Sequence, residues 1–100
     1  VKLQVDFYWV MRANKIMPED LINLAQGRFK LWHIKDMDKI TKDYTELGYG
    51  SIDYAKVLPD PNISGLEYYY LEQGGNYKIN SMDSAKKSIN FFKKNIQKLI

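Results

Sequence analysis

Three residues able to bind a metal each close a short apolar run: Asp6 after Leu3-Gln4-Val5, His33 after Phe29-Lys30-Leu31-Trp32, and Glu72 after Tyr68-Tyr69-Tyr70-Leu71. Each run gives way to polar or glycine-containing sequence and then to a stretch able to form helix, the order of consecutive strand-helix units. Carboxylate, imidazole and carboxylate then fall at the carboxyl ends of strands, the edge at which α/β sheets and barrels build active sites. Such a set suits one divalent ion, Mn²⁺, Mg²⁺, Co²⁺ or Zn²⁺, and its oxygen content leans away from a structural zinc. A Lewis acid beside a carbonyl or hydroxyl stabilises the charge that develops when the neighbouring carbon loses a proton. A carboxylate at the site, Glu72 for preference, can shuttle that proton.

Each of these residues also has a plainer role to set against the chemical one. Asp6 alone suits a helix cap or a pair with lysine. His33 is the single histidine of the chain, and lone histidines are more often structural; here Trp32 and Ile34 take the opposite strand face and turn His33 inward. Glu72 follows an aromatic run, where a buried, unpaired carboxylate is costly. All three are read as metal ligands, with Glu72 also the candidate base. Lys35 and Asp36 are candidates for binding substrate oxygens or a phosphate, against a simple ion pair at the sheet rim. Trp9 is a candidate for stacking on a sugar face, against core packing. Gly48-Tyr49-Gly50 lacks the third glycine of a dinucleotide fingerprint and does not open directly from a strand, so it reads as a turn.

These side chains need strands to carry them and helices to cover the strands. Val1 to Phe7 alternates, with Gln4 and Asp6 on one face and Leu3, Val5 and Phe7 on the other. Met17-Pro18-Glu19-Asp20 starts a helix, because proline suits the first helical position and acids complement the dipole; Gly27 closes it. Phe29 to Lys35 forms the second strand, with Phe29, Leu31, His33 and Lys35 on one face. Asp36 to Gly50 reads as a long loop, and Ser51 to Leu58 as a short helix stopped by Pro59 and Pro61. Glu67 to Glu72 is the third strand, with Tyr68, Tyr70 and Glu72 sharing a face. Met82, Ala85, Ile89, Phe92, Ile96 and Leu99 recur at steps of three and four, so the last element is an amphipathic helix capped at Asn80 or Ser81.

Composition bounds what this framework can be. One hundred residues hold one domain at most, and 45% hydrophobic with 27% charged residues is the composition of a chain that buries a core. The formal net charge of +3 lies largely in the last helix, whose lysines sit mostly opposite an apolar stripe. That is a solvated helix face, not the basic stripe with interleaved aromatics of a nucleic-acid surface. The stripe is also too short for a coiled-coil seam. With no cysteine there is no disulfide, thiolate site or cysteine nucleophile. No apolar run approaches the ~20 residues that span a bilayer, so neither membrane nor nucleic acid is an expected partner. The chain opens on Val1 inside a strand, which leads to the expectation of a fragment and leaves localisation open.

Asp6-Phe7-Tyr8-Trp9, Phe29-Lys30-Leu31-Trp32-His33-Ile34-Lys35-Asp36, Glu46-Leu47-Gly48-Tyr49-Gly50-Ser51-Ile52-Asp53 and Tyr69-Tyr70-Leu71-Glu72-Gln73, in that order, resemble the carboxyl-terminal part of the xylose isomerase-like TIM-barrel family of sugar phosphate isomerases and epimerases. The resemblance implies an α/β fold, with residues 1–100 as a single partial domain: the last three strand-helix units of a (β/α)8 barrel. It implies a divalent metal held by Asp6, His33, Glu72 and a second Glu outside this chain, and a sugar or sugar-phosphate substrate. Many family members carry a His three residues after the Asp, where this chain has Trp9. An eight-stranded barrel takes ~250 residues, so the remaining strands or self-association are needed, and the 100 residues alone are expected to be inactive. Two other readings stand beside this one: a non-catalytic or sugar-binding relic of the barrel, and an endonuclease IV-like phosphodiesterase, which needs more histidine and acidic ligands than this chain offers.

Overall fold

The computed structural model describes residues 2–100; Val1, which the sequence reading places in the first strand, lies outside the described residues. The first strand, β1 (Leu3–Asp6), runs straight into a helix, α1 (Phe7–Ala13). Asp6 makes the junction: its carboxylate accepts the Trp9 amide at 3.2 Å and caps the helix. This helix takes Phe7 from the expected strand, because the capping of the first turn outweighs the β-like composition of Phe7-Tyr8-Trp9-Val10. Asn14 ends α1 in the left-handed region, at φ 52°, which asparagine tolerates better than most residues. The second helix, α2 (Pro18–Asn23), opens with proline and two acids as expected.

Strand β2 (Phe29–Ile34) pairs in parallel with β1 on one side and with β5 (Tyr68–Leu71) on the other, giving the order β1-β2-β5. Across the sheet Asp6 sits opposite His33, and His33 opposite Tyr70. The β1-β2 register shifts between Leu3 and Gln4, and one expectation fails there. Phe29 does not share a face with Leu31, His33 and Lys35; it is buried in the core with Trp32 and Ile34. Lys30 is the extra residue of the irregularity, since Leu3 faces Phe29 while Gln4 faces Leu31.

The stretch read as one long loop contains a small antiparallel hairpin of β3 (Asp36–Met37) and β4 (Tyr44–Thr45). The expected helix over 51–58 shrinks to the single turn α3 (Tyr54–Val57), and Pro61 starts α4 (Pro61–Ser64) where the sequence suggested only a stop. The late start of α3 follows from the Ser51 and Ile52 amides, which donate to Met37 O at 2.8 Å and Asp36 Oδ1 at 3.1 Å; the start of α4 follows from proline's fixed φ, which suits a first helical turn as well as it ends a helix. Helix α5 (Ser81–Asn95), followed by a 3-10 turn over Gln97–Leu99, is capped by Asn80, whose side chain accepts the Asp83 amide at 2.8 Å. Its buried face is not the whole predicted stripe: Ser84, Phe92 and Ile96 are buried, whereas Met82 and Ile89 are exposed. Hydroxyl bonding to the 46–47 segment turns the helix away from its apolar stripe: Ser84 donates to Glu46, and Ser88 Oγ accepts the Leu47 amide.

The result is an α/β domain with a two-faced parallel sheet. Val5, Phe7, Trp32 and Ile34 pack with Ile22, Tyr54, Val57, Phe92 and Ile96 in one core. Phe7 sets its ring edge-on to Trp32 at 5.2 Å and to Tyr54 at 5.8 Å. The other face carries Gln4, Asp6, His33, Lys35, Tyr70 and Glu72, of which Gln4, Tyr70 and Glu72 are exposed. Trp32 is fully buried, so its indole N–H needs a partner; it donates to Ser64 Oγ at 2.8 Å, and the Ser64 hydroxyl donates to Phe29 O at 2.6 Å. Ser64→Ala strands that indole and is expected to cost about 1–3 kcal/mol. Thermal unfolding followed by circular dichroism should show Tm falling by at least ~4 °C; an unchanged Tm would mean that this bond contributes nothing.

Candidate active site at the carboxyl edge of the sheet

Parallel register brings the three sequence-predicted ligands to one face and one edge. Asp6 ends β1, His33 is the next-to-last residue of β2, and Glu72 follows β5 directly. Lys35, one residue beyond β2, stands among them: its Nζ lies 2.9 Å from Asp6 Oδ2 and 3.6 Å from Glu72 Oε2. His33 Nδ1 pairs with Glu72 Oε1, Nε2 with Gln4 Oε1 at 2.6 Å, and the Tyr70 ring lies 5.5 Å away. Burial works to lower the Lys35 pKa, but the hydrogen bond and charge of Asp6 and the charge of Glu72 outweigh it and hold the pKa above its ordinary value. The cation held by the two carboxylates is therefore an ammonium.

As they stand, no three His, Asp or Glu side chains among the described residues are grouped to hold a metal ion. Lys35 lies between the two carboxylates, and both His33 nitrogens are paired, so one must be released before the ring can ligate. The donor set nonetheless fits a divalent ion in kind: two carboxylates and an imidazole on adjacent strands, facing the same way.

The other two candidates part company. Trp9 is half exposed on the first turn of α1, outside the core, with Arg12 5.8 Å from its ring and Tyr8 edge-on at 5.0 Å. Asp36 is buried, and its role is structural. Its Oδ1 accepts the amides of Met37 (2.8 Å) and Ile52 (3.1 Å), and its Oδ2 those of Gly48 (2.9 Å) and Gly50 (3.2 Å). The 48–52 loop is wound around this carboxylate, and a Cβ on Gly50 would stand 2.4 Å from Asp36 Oδ1. That close approach explains the glycine of Gly48-Tyr49-Gly50.

Sequence reasoning missed three residues at or near this edge. Tyr44, on β4, leans its ring toward Lys35, with Nζ 5.6 Å from the ring centroid. Tyr54, buried in α3, accepts the Lys35 amide at 3.0 Å and donates to the Lys35 carbonyl. Glu46 is fully buried and takes hydrogen bonds from Ser84 Oγ (2.5 Å), the Lys78 amide (3.2 Å) and Gln73 Nε2 (3.5 Å). None carries a spacing signal, since each acts through a contact distant in sequence. Nearby, Glu72 lines a cleft of about 300 Å³ between the end of β5 and the start of α5, with Gln73, Tyr77, Ser81 and Ser88.

The sequence matches no protein-family model and no curated protein. No helix among the described residues is long and apolar enough to cross a membrane.

Burial disfavours the Glu46 charge, but the bonds from Ser84, its own amide, Lys78 and Gln73 prevail and hold its carboxyl down at about 2, against an ordinary 4.5. Between those values the unfolded chain binds more protons, so stability rises with pH across the window. The contribution is full above pH about 4.5 and lost as pH falls toward about 2, an effect on the order of 3 kcal/mol. Urea unfolding from pH 2 to 6 should show this slope in the wild type and a flatter one in Glu46→Gln. Equal slopes would overturn the assignment.

Proposed function

We propose that this chain is the carboxyl-terminal three strand-helix units of a xylose isomerase-like (β/α)8 barrel, and that the complete barrel is a metal-dependent sugar or sugar-phosphate isomerase or epimerase. The reading is carried by one observation: Asp6, His33, Lys35 and Glu72 meet on the open face of three adjacent parallel strands at their carboxyl ends. Asp6, His33 and Glu72 would hold the ion, which when bound supplies Lewis-acid polarisation of a substrate carbonyl or hydroxyl. Glu72 accepts the proton from the carbon beside that oxygen, the step common to aldose-ketose isomerisation and ketose epimerisation. Lys35 offers an ammonium to a substrate oxygen or phosphate, and the exposed face of Trp9 suits the apolar face of a sugar ring.

Lys35 bridging Asp6 and Glu72 also favours a second reading, a non-catalytic relic whose strand-end charges merely neutralise one another. The phosphodiesterase alternative is disfavoured, because one histidine leaves too few ligands for several zinc ions.

The two readings separate on the complete protein. Metal analysis after purification without chelator should find a divalent ion, and a screen of ketoses should find metal-dependent exchange of carbon-bound hydrogen with solvent. Glu72→Gln should lower that exchange by about 10²–10⁴-fold. Absence of both metal and exchange would leave the relic, and near-normal turnover in Glu72→Gln with metal bound would remove Glu72 as the base.

The partial-barrel reading has a physical consequence for the 100 residues alone. Strands β1 and β5 are the two outer strands, each with one unpaired edge, and Tyr68, Tyr69 and Tyr70 are exposed on β5. Such edges template association unless neighbouring strands cover them. Sedimentation velocity on the isolated chain should show species larger than a monomer or aggregation. A compact monomer that unfolds cooperatively would contradict the partial barrel.

A further inference from the structure

The carboxylates that would take a metal already hold a cation. Lys35 reaches both Asp6 and Glu72, and its side chain is only 10% exposed. Removing that ammonium would leave two like charges facing each other at the sheet edge. The Lys35 backbone is fixed independently of this, because the buried Tyr54 hydroxyl serves its N–H and its C=O together, as a neighbouring strand would. Only the four-carbon stem is left to move.

While it bridges the carboxylates the ammonium also has a third partner, one that it can keep when it leaves them. The Tyr44 ring centroid is 5.6 Å from Nζ, a cation-π distance. The ring itself is held by all three connections that leave the sheet's carboxyl edge. It belongs to the hairpin after β2, it packs at 4.8 Å on Tyr8 of α1, and it lies so close to the backbone of Gly74, after β5, that a Cβ there would come within 2.8 Å.

We infer that Lys35 and a divalent cation compete for Asp6 and Glu72, and that an ion binding these carboxylates displaces the ammonium toward Tyr44, where it is free to bind a substrate oxygen or phosphate. This rests on the metal-site reading above. Ion and ammonium have the same sign and compete for the same oxygens, so ion binding and lysine release are one event. A lysine held by both carboxylates is not free for substrate, which orders metal before substrate.

The test is Mn²⁺ alone, titrated calorimetrically into the complete protein as wild type, Lys35→Met and Tyr44→Leu. Lys35→Met keeps the stem and removes the competitor. Its Tm without metal should fall, while its Mn²⁺ affinity rises about tenfold or more through loss of a like charge beside the ion. Tyr44→Leu removes the partner that the displaced ammonium keeps and should weaken Mn²⁺ binding several-fold, and this arm stands even if Lys35→Met fails to fold. A lysine with a merely structural role would lower Tm and leave Mn²⁺ affinity unchanged or weaker, which overturns the inference while the metal site survives. Absence of Mn²⁺ binding in wild type and Lys35→Met alike overturns the metal reading and the inference together.

Discussion

Parallel pairing with Asp6 opposite His33 and His33 opposite Tyr70 is the constraint on which the rest of this molecule depends. Side chains alternate across a strand, so fixing these pairs fixes which residues face the helices and which face the open side. A one-residue slip of β2 would turn Trp32 out of the core and His33 into it. Trp32 is fully buried with its indole bonded to Ser64, so the slip would cost the core its largest side chain and bury an imidazole in its place. The hydrophobic layer therefore sets the geometry of the polar one.

Four acidic residues illustrate two different ways of keeping a negative charge in a folded chain. Asp36 and Glu46 are buried and bonded mostly by backbone amides and a hydroxyl. These donors are fixed in place, and each carboxylate organises a loop around itself. Asp6 and Glu72 are more exposed; one oxygen of Asp6 caps α1 and one of Glu72 pairs with His33, and their remaining oxygens, Asp6 Oδ2 and Glu72 Oε2, share the end of one long side chain. An ammonium on a four-carbon stem can leave with little rearrangement, whereas amides of a folded loop cannot. Exchangeable partners belong to a site and fixed partners to a scaffold, and this separates the four carboxylates where residue type alone does not.

The sequence made legible those features that repeat with a period or end an element. Alternation in Leu3-Gln4-Val5-Asp6, the Pro18 helix start, the Asn80 cap and the three strand-end side chains all belong to that class. What escaped it depended on contacts distant along the chain. Asp6, by capping its own helix, ended the strand before Phe7 and began α1 there. An irregular register at Lys30 moved Phe29 to the core face. Ser84 and Ser88, bonded to the 46–47 segment, turned α5 so that Met82 and Ile89 of its apolar stripe stayed outside. At the site, Asp36 looked like a ligand for substrate because a carboxylate beside Lys35 at a strand end has that appearance. Its four amide partners lie partly twelve to sixteen residues away, in the glycine loop.

Core and site are thus built on opposite faces of one sheet, which lets polar residues at the carboxyl edge vary without opening the apolar layer. The separation has one exception. Tyr54 has its ring in the core, edge-on to Phe7, and its hydroxyl on both backbone groups of Lys35. Burial pushes that phenol well above its ordinary pKa, so it stays neutral and keeps its proton for the Lys35 carbonyl. Packing changes around Phe7 can therefore reach the charged edge through a single hydrogen-bonded residue. The lysine that neutralises the site has a flexible head and an anchored base, and its anchor is part of the hydrophobic core.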